Sequence, residues 1–138
     1  MKSIIAMGVF AVLAADPATA SCVQGNMAGA WDIYMTTQAA NGALGWIACT
    51  LNINSVGNFT ANNSSCADST ALSTNVAGSV KLLQPVNCRF RGTINNASFA
   101  HPIYLLGITM AGSKESASGV GGGTSYGSPF TFNMVKIQ

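Results

Sequence analysis

The chain has 138 residues, of which 7% are charged and 49% are hydrophobic, and its net charge is +2 at pH 7. So few Lys and Arg residues exclude a basic nucleic-acid-binding protein, and the abundant apolar residues exclude a disordered acidic chain. Because the polar residues are mostly Asn, Ser, Thr and Gly, the composition favours a β-rich protein with little charge to oppose self-association.

The first 20 residues are typical of a signal peptide. Lys2 supplies a positive charge, residues 4–15 form an apolar run, and Ala18-Thr19-Ala20 is a small-x-small cleavage site. The run is shorter than the roughly 20 residues of a transmembrane helix. We therefore predict a leader over residues 1–20 and one β-domain over residues 21–138, secreted, periplasmic or on the cell surface. As an alternative, Thr19-Ala20-Ser21-Cys22 resembles a bacterial lipoprotein cleavage box, in which Cys22 is lipidated instead of bridged.

The first half of the domain contains two predicted strands. Residues 29–35 alternate with Trp31, Ile33 and Met35 on one face, and a turn follows over residues 38–44. In residues 46–54 apolar and more polar side chains alternate strictly, with Ala48 and Thr50 on the solvent-exposed face, as in a half-buried strand. Reflecting this strand about Gly57 places position 49 opposite position 65, which predicts a hairpin.

The four cysteines predict two disulfides. The hairpin brings Cys49 within reach of Cys66, so Cys22–Cys88 follows by elimination. Each bridge is expected to contribute roughly 3 kcal/mol. A zinc site is disfavoured, because the sequence has no Cys-x-x-Cys spacing and a single His.

The second half of the domain continues the strand pattern. Residues 68–78 are predicted to be a polar connection, and residues 121–127 a glycine-rich loop. Residues 102–110 are the most apolar run and lack alternation, which predicts burial on both faces or packing against a partner. Further strands are expected at residues 78–86, 88–94, 113–120 and 129–134.

Seven or eight short strands with frequent turns predict an all-β fold. We favour an antiparallel up-and-down β-barrel over a β-sandwich, because sequential hairpins are the simplest connection. Closure also removes sheet edges that a chain with few charges cannot protect.

Gly29-Ala30-Trp31 resembles the Gly-x-Trp motif of lipocalins and avidins, the calycin-type barrels. In those families the Trp plugs one end of an eight-stranded barrel, so the resemblance implies a cavity for a small apolar ligand. Small bacterial barrel inhibitors of metalloproteases are also similar, in size, export, an early Trp and a disulfide. Trp31 is expected to be a core tryptophan or, alternatively, a ligand contact.

The sequence offers few groups for catalysis. His101 is the only histidine, and no Ser lies in a Gly-x-Ser-x-Gly turn. Beyond the predicted leader the carboxylates are Asp32, Asp68 and Glu115, and none of them forms an evident acid–base pair. The glycine run 119–123 lacks the Lys-Ser/Thr of a phosphate-binding loop. We therefore expect no catalytic residues, no cofactor and no metal.

These observations favour a non-catalytic exported module that binds a ligand or builds a surface assembly. Its partner would be a second copy, another exported protein or a small apolar ligand. Arg89 and Arg91 share the outward side of one strand and could bind an anionic group, and Tyr104 and Trp31 are further candidate contacts. An exported protease inhibitor acting through residues 21–28 or 121–127 is the alternative, and a small hydrolase using His101 comes third.

Overall fold

The structure is a computed structural model that describes residues 21–38, 42–69, 71–95, 101–123 and 126–137. The predicted leader lies outside these residues and stays a prediction. Two short 3₁₀ helices cover Gln24–Met27 and Ala61–Asn63. The nine strands are β1 Gly29–Gln38, β2 Leu44–Ile53, β3 Ser65–Asp68, β4 Leu72–Thr74, β5 Ala77–Gln84, β6 Arg89–Asn95, β7 Ile103–Met110, β8 Ser116–Gly123 and β9 Tyr126–Ile137.

The strands form one curled antiparallel sheet, a half-barrel in the order β4-β3-β2-β1-β9-β8-β7-β6-β5. Strands consecutive in sequence pair with each other except β4 and β5, which form the two edges of the sheet, and the first strand also pairs with the last. This arrangement confirms the predicted all-β, up-and-down fold. The prediction of a polar connection over residues 68–78 was wrong in part, because residues 72–74 pair with β3 as the short strand β4. Alternation over so few residues is too short to be recognised.

The segment after β2 connects the edge strand β5 to the end of β2, because Phe59 pairs with Ile53 and Asn58 pairs with Ser79. The N–H of Phe59 donates to the carbonyl of Gly78 at 3.0 Å, and the N–H of Val80 donates to the carbonyl of Gly57 at 2.7 Å. Gly57 has a φ of 86°, a conformation that favours glycine. The backbone of residues 57–59 thus continues the hydrogen bonding where β5 would otherwise be an open edge.

Both predicted disulfides are confirmed. Cys49 lies directly opposite Cys66 in the β2–β3 pair and is bonded to it, and Cys22 is bonded to Cys88. The alternative prediction that Cys22 is lipidated is wrong in this structure, because the sulfur of Cys22 is bonded to that of Cys88. The register differs by one residue from a reflection about Gly57, since a turn and the 3₁₀ helix Ala61–Asn63 make the connection asymmetric.

The inward sides of the strands form one apolar cluster. Its largest fully buried side chains include Trp31, Phe90 and Phe132. Phe130 and Phe132 of β9 pack over Gly121 and Gly119 of β8, where a Cβ atom would overlap the rings. The small residues of β8 therefore make room for the aromatic residues of β9 in the apolar cluster.

Two further predictions require correction. Ile103–Met110 is not buried on both faces, because Tyr104 and Leu106 are exposed on the outer side. Its apolar outward residues hid the alternation from sequence analysis. The loop predicted at residues 121–127 is shorter, because β8 extends to Gly123 and Gly123 pairs with Tyr126. None of the helices in the described residues has the length and apolar character to span a bilayer.

Candidate functional site

Trp31 lies in the core near the start of β1. Its indole N–H donates to the carbonyl of Met27 at 2.9 Å, and its exposed fraction is zero. The ammonium group of Lys136 lies 5.8 Å from the centre of the ring, within the range of a cation–π contact. Trp31 therefore offers no accessible surface to a partner in this conformation and holds the 3₁₀ helix Gln24–Met27 against the sheet.

The other predicted contact residues lie on the outer side of β6 and β7. Arg91 and Tyr104 line a depression of about 240 Å³ together with Leu106. Arg89 pairs with Thr109 across the strands and does not line this depression. The structure thus brings Arg91 and Tyr104 together at this depression, and Arg89 lies two residues from Arg91 on the same outward side of β6.

The acidic residues and the histidine lie on different elements. His101 is exposed ahead of β7, and Glu115 is exposed in the turn between β7 and β8. Asp32 accepts a hydrogen bond from the hydroxyl of Thr50 at 2.7 Å, and Asp68 accepts one from the N–H of Ala71 at 3.0 Å. In the described residues, no three His, Cys, Asp or Glu side chains form a group that could hold a metal ion.

A different surface combines aromatic rings with a depression. We call it the Tyr34 face: it consists of the outward side chains of β1 to β4 around Tyr34, namely Asp32, Tyr34, Trp46, Ala48, Thr50, Ala67 and Leu72. Tyr34 is 59% exposed, Trp46 49% and Leu72 71%, although all three are large hydrophobic side chains.

The strand register explains the shape of this face. Tyr34 lies opposite Ala48, Ala48 opposite Ala67, and Ala67 opposite Leu72. Two alanines therefore form a low floor between a tyrosine and a leucine, and the floor is a depression of about 240 Å³. Trp46 is two residues before Ala48 on the same side of β2, which places it diagonal to Tyr34, about 7–8 Å away and within reach of large side chains.

The same row continues over β9, β8 and β7. Tyr34 lies opposite Asn133, Asn133 opposite Ser118, and Ser118 opposite Thr109. These last three residues line a larger depression of about 530 Å³, which we call the Asn133 depression. The two depressions meet where Asn133 and Tyr34 pair.

Sequence reasoning did not select the Tyr34 face, although a signal was present. Tyr34 and Trp46 occupy the outward phase of strands whose inward phase was correctly identified from residues such as Trp31 and Ile47. Aromatic residues in the polar phase of an alternating strand are a sequence-level indication of an exposed contact surface.

Comparison with known proteins found no match to this chain among family models, curated proteins or solved structures.

Proposed function

We propose that this protein is a non-catalytic, exported binding module whose ligand or partner binds the Tyr34 face. The observation that carries the proposal is the exposure of Tyr34 and Trp46 on one side of two adjacent strands, with Tyr34 at the edge of a floor of alanines. Leaving large aromatic surface in water forgoes roughly 1.5–3 kcal/mol for each side chain that could be buried. Clustering two such residues at a depression is typical of a surface that is covered in use.

The burial of the described inward side chains directs the proposal to the outside of the sheet. The described inward side chains pack as a single cluster, with Trp31, Phe90 and Ile94 fully buried. The calycin-type resemblance implies a ligand cavity inside the barrel, and the packing of these side chains does not favour one. The resemblance stays a proposal, supported by the position of Trp31 near the start of the first strand.

The placement of the ionisable groups supports a non-catalytic role. The carboxylate of Asp68 caps a turn, and that of Asp32 pairs with a neighbouring hydroxyl, which are ordinary structural roles. His101 lies on a separate element from both. A hydrolase would need a nucleophile, a base and an orienting group within hydrogen-bond reach of one another.

The inhibitor alternative draws little support from residues 21–28. Cys22 is bridged to β6, Met27 is buried, and the side chain of Gln24 bonds to the backbone of Val80 and Leu82 in β5. This segment is fixed to the sheet by its own contacts. The two disulfides also fit an oxidising compartment, in agreement with the export that we propose.

Hydroxyl-radical footprinting of the exported protein in its native setting tests the proposal without knowledge of the ligand. We expect Tyr34 and Trp46 to be oxidised several-fold more slowly there than in the dilute purified protein, because the partner covers them. Tyr104, exposed on β7, is the internal reference and should react equally in both. Equal rates at Tyr34 and Trp46 in the two settings would remove the proposal.

Light scattering then tests whether the partner at the Tyr34 face is a second copy of this chain. Self-association that disappears in a Tyr34→Ser/Trp46→Ser variant would assign the face to assembly. The matched control is Arg91→Ser/Tyr104→Ser at the other depression, which should leave the mass unchanged.

A further inference from the structure

We infer that the outer surface of the sheet binds a neutral saccharide chain that runs across the strands. Tyr34 and Trp46 stack on its sugar rings, and Asp32 accepts hydrogen bonds from its hydroxyl groups. The inference rests on the proposed function, because it names the ligand class of the Tyr34 face.

The shape of the surface favours an elongated ligand. The row from Thr109 through Asn133 and Tyr34 to Leu72 crosses seven neighbouring strands. Because neighbouring strands lie about 4.8 Å apart, this row is roughly 29 Å long along the sheet. Both depressions lie on it, with Tyr34 between them. A chain of several sugar units fits this dimension, whereas a single small molecule would use only one depression.

The chemistry of the surface favours a neutral ligand rich in hydroxyl groups. Asp32 is the only charged residue among those that line the two depressions. The other polar lining groups are hydroxyls and one amide, and each of them can accept and donate hydrogen bonds. They are Thr50, Ser65, Thr109, Ser116, Ser118 and Asn133. A nucleic acid would need Lys and Arg at these positions, and an apolar protein partner would leave the hydroxyls unpaired.

The aromatic residues supply the second half of saccharide recognition. A pyranose ring exposes C–H bonds on its faces and hydroxyl groups around its edge. The negative face of an aromatic ring attracts such polarised C–H bonds while its area is removed from water. Tyr34 and Trp46 lie on adjacent strands and on one side of the sheet. They can therefore contact neighbouring sugar units.

Asp32 lies beside these rings with its carboxylate held in place. The hydroxyl of Thr50 donates to Oδ1 of Asp32 at 2.7 Å, and Asp32 is two residues from Tyr34 on the same side of β1. Oδ2 has no partner among the described residues. A carboxylate fixed in this way accepts charge-assisted hydrogen bonds from hydroxyl groups, which are stronger than bonds between neutral groups.

The test uses the fluorescence of Trp46. The protein has two tryptophans, and Trp31 is fully buried, so quenching by acrylamide reports on Trp46. The probes are the hexasaccharides and disaccharides of β-1,4-glucose, β-1,3-glucose, α-1,4-glucose, β-1,4-mannose, β-1,4-xylose and β-1,4-N-acetylglucosamine. We expect at least one hexasaccharide to shield Trp46 from acrylamide, and its disaccharide to bind at least several-fold more weakly.

Variants assign the binding to the named residues. By calorimetry, Tyr34→Ala and Trp46→Ala should each weaken hexasaccharide binding by about tenfold, the loss of one stacking contact. Asp32→Asn should weaken it several-fold. Tyr104→Ala removes an equally large exposed ring outside the row and should leave affinity unchanged. Retained melting temperatures would show that these outward substitutions leave the fold intact.

Three outcomes would overturn the inference: no hexasaccharide binding at millimolar concentration, binding indifferent to Tyr34→Ala and Trp46→Ala, or an equal loss in Tyr104→Ala. Failure here is separable from failure of the proposed function. If footprinting shows Tyr34 and Trp46 covered in the native setting but no saccharide binds, the face has a partner of another class, and only the saccharide is wrong.

Discussion

Substituting Gly57 by alanine tests whether the segment after β2 closes the sheet. Gly57 has a φ of 86°, and a Cβ atom there would overlap the carbonyl oxygen of Val80 and the side-chain amide of Gln24. The positive φ costs alanine about 1–2 kcal/mol. Displacing Gln24 breaks its hydrogen bonds to Val80 and Leu82. The lost hydrogen bonds and the relief of the overlap together add about 2–3 kcal/mol to the loss of stability. The expected loss of stability is therefore roughly 4 kcal/mol.

Gly42→Ala is the matched control. Its φ of 83° is nearly the same, but no atom of the described residues lies within 4 Å of the Cβ position. Only the backbone contribution applies, so the expected loss is about 1–2 kcal/mol. Urea unfolding of the disulfide-intact protein, followed by circular dichroism and tryptophan fluorescence, measures both variants. Equal losses for Gly57→Ala and Gly42→Ala would refute the close approach of this segment to β5.

Three further predictions concern the core and the bridges. Replacing both cysteines of Cys22–Cys88 by alanine should lower the unfolding free energy by about 4 kcal/mol, and replacing both cysteines of Cys49–Cys66 should lower it by about 3 kcal/mol, because the first bridge closes a longer loop. Urea unfolding measures both losses, and the reverse order would contradict the dependence on loop length. Gly119→Ala should destabilise by about 2–3 kcal/mol through overlap with β7 and Phe132, while Gly122→Ala, in ordinary contact, should change stability little in thermal melts. Trp31→Phe should lower the unfolding free energy by about 1–3 kcal/mol, because the carbonyl of Met27 loses its indole donor. The remaining Trp46 should still be quenched by acrylamide, and loss of that quenching would show that Trp46 is not the exposed tryptophan.

Much of the fold was predictable because strand alternation separates inward from outward residues. The phase of β1 and β2 was read correctly from Trp31, Ile33 and the residues around Cys49, and the disulfide pairing followed from the hairpin predicted about Gly57. The short strand β4 escaped prediction because three residues carry no period. Its pairing with β3 is a tertiary contact that local sequence does not encode.

The candidate site was less predictable than the fold, since it depends on register between strands. The sequence places Tyr34 and Trp46 outward, but only the register shows that Tyr34 borders the floor of Ala48 and Ala67 and that Trp46 lies diagonal to Tyr34. Arg89 and Arg91 share the outward side of β6, as the alternation predicted, but only the register shows that Arg91 lies beside Tyr104 at a depression.

The disulfide between β2 and β3 connects stability to the proposed binding surface. Cys49 and Cys66 are bonded on the inner side of the sheet. Each is adjacent in sequence to one alanine of the outer floor, since Ala48 precedes Cys49 and Ala67 follows Cys66. A slip of one residue in this pair would turn Ala67 inward and place a different side chain beside Ala48. β3 has only four residues, so few backbone hydrogen bonds oppose such a slip. The covalent bond therefore fixes the register that keeps the floor between Tyr34 and Leu72 low, which makes the shape of the outer surface a consequence of a bridge inside the core.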